Sequence, residues 1–183
     1  MLAPGDSLLL LPVGQVVTVK SLKQGAKLPA VVCDGDSCEV GVTGMTDDAI
    51  FGVGDILCDP QRPITVVRKF RAQIVVFQPP RPFLKGDHFI LHMHSVSAQV
   101  KLSRLRAIVN KKTGEVEQRR PRLLPHKCTA IVDIRLMDHP LCMELFADSQ
   151  QFGRFMLRTN AKTCAAGIVT SILSSGTKSN KSE

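Results

Sequence analysis

Short apolar runs bounded by turn-forming residues recur along the chain at a spacing of about 8–12 residues. Residues 70–77 alternate between an apolar face and a mixed face, and residues 89–94 alternate in the same way. Residues 99–109 form a longer run whose apolar phase slips between Leu102 and Leu105, which indicates a β-bulge. No stretch carries a convincing amphipathic helical pattern. The sequence therefore predicts an all-β fold of barrels or sandwiches.

The last two apolar runs, residues 152–157 and 165–172, flank the turn-prone residues 159–162, Thr-Asn-Ala-Lys. Asn tolerates a left-handed backbone, so this arrangement indicates a β-hairpin. Gly167 lies in the second run, where a side chain would crowd a neighbouring strand. An isolated hairpin is only marginally stable, so we expect this one to close a larger sheet.

The strongest linker signal is Asp-Pro-Gln-Arg-Pro at residues 59–63. It divides the chain into a first domain, residues 1–62, and a second domain, residues 63–174. Residues 175–183 are polar and are expected to form a disordered tail. Within the first domain, residues 46–50 allow one possible helical turn.

No run approaches 18 uninterrupted apolar residues, so the sequence predicts no membrane span. The six cysteines are scattered and form no Cys-x-x-Cys pair, and most sit inside apolar runs. This usage is typical of reduced thiols in a cytosolic protein, and we expect a cytoplasmic location.

Charge is distributed unevenly along the chain. Residues 1–62 hold four Lys/Arg and eight Asp/Glu, a net charge of −4, whereas residues 68–127 hold fourteen and three, a net charge of +11. Residues 128–183 hold six and five, a net charge of +1. The central basic block favours an anionic partner such as RNA or a ribosome, and the alternative is a solvated basic face.

Within that block, one cluster of cationic residues is the best candidate for RNA or ribosome contact: Lys111, Lys112, Arg119, Arg120, Arg122 and Lys127. Such residues on exposed turns track phosphates without reading bases. The chain has no Tyr or Trp, and the cluster contains no Phe to stack on bases. The cluster therefore favours contact with the backbone of folded RNA, with a solvated loop as the alternative.

No catalytic, cofactor-binding or metal-binding motif is recognised. The chain lacks a Gly-x-x-x-x-Gly-Lys-Ser/Thr phosphate loop and a nucleophile elbow. Residues 110–113, Asn-Lys-Lys-Thr, precede Gly114 and are expected to form a hairpin turn. His92 and His94 share a strand face, with His88 in phase, but no matching Cys or carboxylate is evident, so ordinary barrel-face histidines are favoured over a metal site.

Several stretches together resemble the C-terminal half of translational GTPases, and above all the HBS-one-like ribosome-rescue factors. Eukaryotic release factor three and elongation factor one alpha are similar too, but as more distant relatives. The stretches are Arg-Ala-Gln-Ile-Val-Val-Phe from residue 71, residues 105–110 followed by Lys-Thr-Gly-Glu-Val, Arg-Arg-Pro-Arg at 119–122, Met-Glu-Leu-Phe at 143–146, Gly-Arg-Phe-Met-Leu-Arg at 153–158 and Ala-Ala-Gly-Ile-Val-Thr at 165–170.

The resemblance implies two β-barrels, the first incomplete. Residues 1–62 would be part of the family's second domain, and residues 63–174 its complete third domain. It also implies that the GTPase domain, with its GTP and Mg²⁺, is missing, so we expect no enzyme activity and no cofactor in this chain. A partial gene model, a short isoform or a cut fragment would explain this.

The resemblance further implies a function in rescue of stalled ribosomes and in mRNA surveillance, together with a Pelota-type factor. A GTPase-inactive adaptor linking ribosomes to the RNA exosome and a release-factor-three-like termination factor are the alternatives. We expect a monomer that contacts the ribosome.

Strand alternation sends Phe155 and Leu157 to the core and Arg154, Met156 and Arg158 to the outer face. This outward set is the candidate partner-binding site. The alternative is that the two arginines brace the adjacent loop.

Overall fold

The computed structural model describes residues 1–25, 29–46, 52–77, 79, 81–159 and 162–175. Nearly all of its regular structure is β-strand, which confirms the all-β prediction. The chain divides between Ile64 and Thr65 into two compact units, Met1–Ile64 and Thr65–Glu183. Among the described residues, no helix is long and apolar enough to span a membrane.

The described part of the first unit is built on one antiparallel sheet whose strands lie in the order β3-β2-β1-β4. Its strands are β1 (Ser7–Leu11), β2 (Gln15–Lys23), β3 (Glu39–Thr43) and β4 (Ile56–Cys58). A small core forms on one face around Val19, Leu22 and Val32, each at most 6% exposed. The possible helical turn at residues 46–50 lies, from residue 47 on, outside the described residues.

The second unit is a closed barrel. Its wall runs in the order β11-β5-β14-β13-β7-β8, and β8 pairs with β11 to complete the ring. The wall strands are β5 (Val66–Val76), β7 (His88–Met93), β8 (Val96–Val109), β11 (Thr129–Leu136), β13 (Arg154–Thr159) and β14 (Lys162–Ser175). The second unit also contains shorter elements outside this ring: β6 (Phe83–Leu84), β9 (Val116–Arg119), β10 (Leu123–Leu124), β12 (Leu141–Cys142) and the helix α1 (Gln150–Gly153).

The core of the second unit fills the inside of this ring. The alternation predicted for β5 and β7 is confirmed, because the buried side chains are Phe70, Ala72, Ile74 and Val76 on β5 and Phe89, Leu91 and Met93 on β7. Phe155 and Leu157 on β13 are 3% and 0% exposed, which confirms their core assignment. The rings of Phe70 and Phe155 pack nearly perpendicular to each other, with their centroids 5.5 Å apart.

Two bulges interrupt the pairing of β8 with β11. Asp133 pairs with Arg104 and Ile134 with Leu102, so Ser103 is an extra residue. This is the bulge that the slip in apolar phase predicted. The second extra residue is Arg106, since Ile131 pairs with Ala107 and Val132 with Leu105. Each bulge locally re-aims the side chains of β8.

The closing hairpin is present, with Thr159 of β13 paired to Lys162 of β14. Its two turn residues, 160 and 161, lie outside the described residues. The expected tail begins one residue too early, because Ser175 is the last residue of β14, and residues 176–183 are not described. No two of the six cysteines, all of which lie in the described residues, are joined by a disulfide bond.

Candidate functional site

A strip of outward-facing residues crosses the barrel wall at β13. Met156 lies opposite His92 of β7 on one side and opposite Ala166 of β14 on the other. Ala166 in turn lies opposite Val75 of β5. Because residues opposite each other in an antiparallel pair share a face, these four side chains form one row across four strands.

A parallel row runs beside the first, from Arg154 through Ile168 of β14 to Gln73 of β5. The two rows line an open groove of about 570 Å³, which we call the β13 groove. The turn after β7 and the helix α1 form its sides, with His94, Phe146, Gln150 and Gln151 among the lining residues.

Local interactions fix the walls of the β13 groove. The Ser149 hydroxyl accepts a hydrogen bond from the Phe152 amide at 3.4 Å and caps α1. His94 follows β7 directly and has a left-handed backbone, φ +54°, and its ring stacks on Phe152 at a centroid distance of 5.4 Å. Gly153 is required here because a Cβ atom would collide with the backbone of Phe146.

The structure places the sequence-predicted docking residues on β13, which pairs with β14 on one side and with β7 on the other. Arg154 is exposed and Met156 is 52% exposed, and both line the groove. Arg158 is half-buried, lies opposite Ile90 of β7 and is not among the lining residues. An apolar floor with a pliable thioether and a guanidinium at its rim matches the composition of protein–protein interfaces.

Sequence reasoning missed four groove residues, His92, His94, Phe146 and Ile168, as parts of one surface. The alternation of β7 and β14 does predict that His92 and Ile168 face outward. The strand order that brings them beside Arg154 has no signal in a single sequence.

The sequence-predicted basic cluster is separated into distinct places. Lys111 and Lys112 form the tip of the β8–β9 hairpin, where the Asn110 carboxamide oxygen accepts a hydrogen bond from the Lys112 amide at 2.8 Å. The expected turn at residues 110–114 is present, with Gly114 donating its amide to the Asn110 carbonyl at 2.9 Å.

Arg120 and Arg122 lie at the other end of β9. Together with three cations that sequence proximity did not reveal, they line a cleft of about 600 Å³, which we call the basic cleft; its other cations are Lys85, Arg104 and Arg106. Arg119 and Lys127 are exposed and are not among the lining residues of the basic cleft.

Asp133 lies fully buried behind the basic cleft. Its carboxylate accepts hydrogen bonds from Arg71 Nε at 2.9 Å and from Arg106 Nε at 2.8 Å. Burial alone would raise the pKa of Asp133, but the hydrogen bonds and charges of Arg106 and Arg71 hold its pKa below the ordinary value. Asp133 therefore carries a negative charge at neutral pH.

Within the described residues, no group of three or more His, Cys, Asp or Glu side chains is placed to hold a metal ion. His92 lies in the β13 groove and His94 stacks on Phe152, while His88 is exposed near the start of β7.

Residues 69–170 match the family model described as "GTP-eEF1A C-terminal domain-like". This match covers the wall of the second unit from β5 to β14, including the β13 groove and the basic cleft.

The chain is similar to protein HBS1 of Drosophila melanogaster, with 36% identity over 154 residues that cover 84% of this chain and 23% of the relative. It is also similar to elongation factor 1-alpha of Cenarchaeum symbiosum, with 32% identity over 92% of this chain and 38% of the relative. A crystal structure of sup35 complexed with GDP superposes with a TM-score of 0.84 at 27% identity, covering 94% of this chain and 42% of sup35. The chain thus spans less than half the length of each of these relatives.

Proposed function

Because the chain belongs to the GTP-eEF1A C-terminal domain-like family and matches the C-terminal region of translational GTPases, we propose that it is the partner-binding region of a ribosome-rescue factor. In this function it binds a Pelota-type protein and contacts the ribosome in the cytoplasm, in the service of mRNA surveillance. The observation that carries the proposal is the 36% identity to HBS1 over 84% of the chain.

The two units correspond, in this proposal, to the second and third domains of the family. Residues 1–62 supply part of the second barrel and residues 63–174 supply the third. The GTP and Mg²⁺ chemistry of the family belongs to a further domain, and this chain contributes binding surfaces without turning over GTP.

The β13 groove is the proposed docking surface for the Pelota-type protein. Its apolar floor, formed by Met156, Ile168 and Val75, gives a partner a surface to desolvate. Arg154 at the rim offers a planar group with several donors for a partner carboxylate or carbonyl. We place Arg158 beside this surface, where its half-buried side chain supports β13.

Binding measurements with purified partners test this proposal. The chain is titrated by calorimetry against a Pelota-type factor, a eukaryotic termination factor and a core subunit of the RNA exosome. The proposal expects the Pelota-type factor to bind at least about tenfold more tightly than the other two, a difference near 1.4 kcal/mol. Preference for the termination factor would assign the chain to the release-factor branch, and preference for the exosome subunit would assign it to the adaptors.

A further inference from the structure

The basic cleft lies on the second unit, between the turn after β6, the bulged part of β8 and the segment that follows β9. Its floor contains the buried residues Leu105 and Pro121. Its rim carries five cations, Lys85, Arg104, Arg106, Arg120 and Arg122. None of the lining residues in the described part of the chain is acidic.

The fold, and not sequence proximity, gathers these charges. The second bulge of β8 makes Arg106 an extra residue beside Leu105. The Arg120 amide donates a hydrogen bond to the Arg106 carbonyl at 2.8 Å, which joins the segment after β9 to the bulge. The Gly86 amide donates to the Leu102 carbonyl at 2.8 Å and holds the turn that carries Lys85 against the same strand.

Arg120 adopts a left-handed backbone with φ +49°. This conformation is unfavourable for a residue with a Cβ atom, and such residues cluster at ligand clamps and other functional sites. A Gly at this position would avoid the strain but would remove the cation from the cleft rim.

Most of the positive charge in the cleft is not neutralised. Arg106 forms an ion pair with Asp133 at 2.7 Å, but Asp133 also pairs with Arg71 at 2.9 Å, so one carboxylate serves two guanidinium groups. Within the described residues, Lys85, Arg104, Arg120 and Arg122 form no ion pair with a carboxylate. Several like charges held around one concavity attract an anion strongly.

We infer that the basic cleft binds the phosphate backbone of RNA. Guanidinium groups match phosphate oxygens with paired hydrogen bonds. A smaller cleft of about 410 Å³ shares Arg120 and Arg122, and its other lining residues in the described part of the chain, Ile108, Gln118, Leu123 and Pro125, carry no charge, so the two arginines lie between two concavities. Among the described residues, neither cleft is lined by an aromatic side chain on which a base could stack.

The choice of RNA over an acidic protein rests on the ribosomal function proposed above. Of the basic cluster predicted from the sequence, Arg120 and Arg122 line the basic cleft. Lys85, Arg104 and Arg106, which were not part of that cluster, lie there with them. Lys111 and Lys112, at the tip of the β8–β9 hairpin, then contribute only non-specific electrostatic attraction for RNA.

Salt-dependent binding of a labelled mixed-sequence RNA duplex tests this inference on the whole chain. The cleft variant carries Arg104→Gln, Arg120→Asn and Arg122→Gln, where Asn is chosen because it tolerates a left-handed backbone. The matched control removes three charges elsewhere, with Lys111→Gln, Lys112→Gln and Arg119→Gln. A plot of log affinity against log salt concentration has a negative slope. The cleft variant is expected to reduce the magnitude of this slope by about 2 to 3, and the control variant by less than about 1. Equal losses in the two variants would overturn the inference and leave only a diffuse basic surface.

A second measurement uses the unmodified chain and so does not depend on the folding of a variant. Phenylglyoxal modifies accessible guanidinium groups, and mass spectrometry locates the adducts. RNA is expected to protect Arg104 and Arg122 more than Arg119, and polyglutamate of matched charge to protect them less than RNA does. Equal protection of all three, or stronger protection by polyglutamate, would overturn the inference. Since no protein partner is present, failure of Pelota-type docking would leave these results unchanged.

Discussion

Arg106 of β8 and Asp133 of β11 meet across a bulge, with the Nη2 atom 2.7 Å from the Oδ2 atom. Asp133 is fully buried and also accepts a hydrogen bond from Arg71 of β5. One carboxylate thus joins three neighbouring strands at the place where β8 and β11 close the ring. It also makes Arg106 a fixed part of the basic cleft.

Asp133→Asn is expected to lower the free energy of unfolding by about 2 kcal/mol, because it weakens two charge-assisted hydrogen bonds of a buried group. The loss stays below that of a fully buried ion pair, since the side chains of Arg71 and Arg106 are 33% and 37% exposed and can turn to water. Urea denaturation of the wild type and of Asp133→Asn measures this change in the free energy of unfolding. Glu115→Gln, at an exposed turn position, is the control, and an equal effect of both substitutions would contradict the prediction.

The same carboxylate predicts a dependence on pH. The pKa of Asp133 is held below its ordinary value of about 3.8, so the unfolded chain binds the proton of this carboxyl group more readily than the folded chain does. The stability that Asp133 contributes is therefore present above about pH 4 and is lost as the pH falls through the folded-state pKa. The difference in unfolding free energy between the wild type and Asp133→Asn should be constant near neutral pH and shrink only in acid. A difference in unfolding free energy that grows as the pH falls would contradict this prediction.

Gly167→Ala is expected to destabilise the second unit by about 1–3 kcal/mol through overpacking. A Cβ atom there would lie 2.7 Å from Phe155 Cζ, 2.8 Å from Ile74 Cγ2 and 3.0 Å from the Gln73 carbonyl oxygen. The matched substitution Gly52→Ala meets nothing within 4 Å and should change stability by less than about 0.5 kcal/mol. Thermal melting of both variants tests this prediction. An unchanged melting temperature for Gly167→Ala would contradict it, because it would show that the surrounding residues make room for the added methyl group.

The faces of the long strands could be predicted from the sequence because alternation alone determines them. The inward residues Phe70 on β5, Leu91 on β7 and Leu157 on β13 follow directly from this period of two. The first bulge of β8 could be predicted because Leu102 and Leu105 are out of phase. The helix α1 could not, since four residues carry no helical periodicity.

The composition of the surfaces could be predicted only in part. The sequence grouped Lys111 with Arg120, although the β8–β9 hairpin places them at opposite ends of β9. It did not group Arg104 with Arg122, because the segment after β9 and the bulge of β8 are joined by a tertiary hydrogen bond. The apolar content of residues 141–146 predicts one continuous strand, but the strand ends at Cys142.

The purified chain is expected to release no phosphate from GTP, with or without ribosomes. Its sequence contains no phosphate-loop motif to bind the triphosphate and Mg²⁺. The measurement is a phosphate-release assay, with a full-length elongation factor 1-alpha as the positive control. Turnover that follows the protein through successive purification steps would contradict this prediction.

The β13 groove is tested most directly by a pair of matched double variants. Arg154→Ala with Met156→Ala truncates two exposed groove residues, while Arg135→Ala with Met137→Ala removes the same two side-chain types at the same spacing on and just beyond β11. Arg158 is left intact because its half-buried side chain would confuse folding with docking. Both variants should melt like the wild type, since all four side chains are exposed.

The deciding measurement is the dissociation constant of each double variant for a purified Pelota-type factor. The account predicts that the Arg154/Met156 variant binds at least about tenfold more weakly than the wild type, near 1.4 kcal/mol, and that the Arg135/Met137 variant binds like the wild type. Unchanged affinity of the Arg154/Met156 variant, with its fold intact, would contradict docking at the β13 groove.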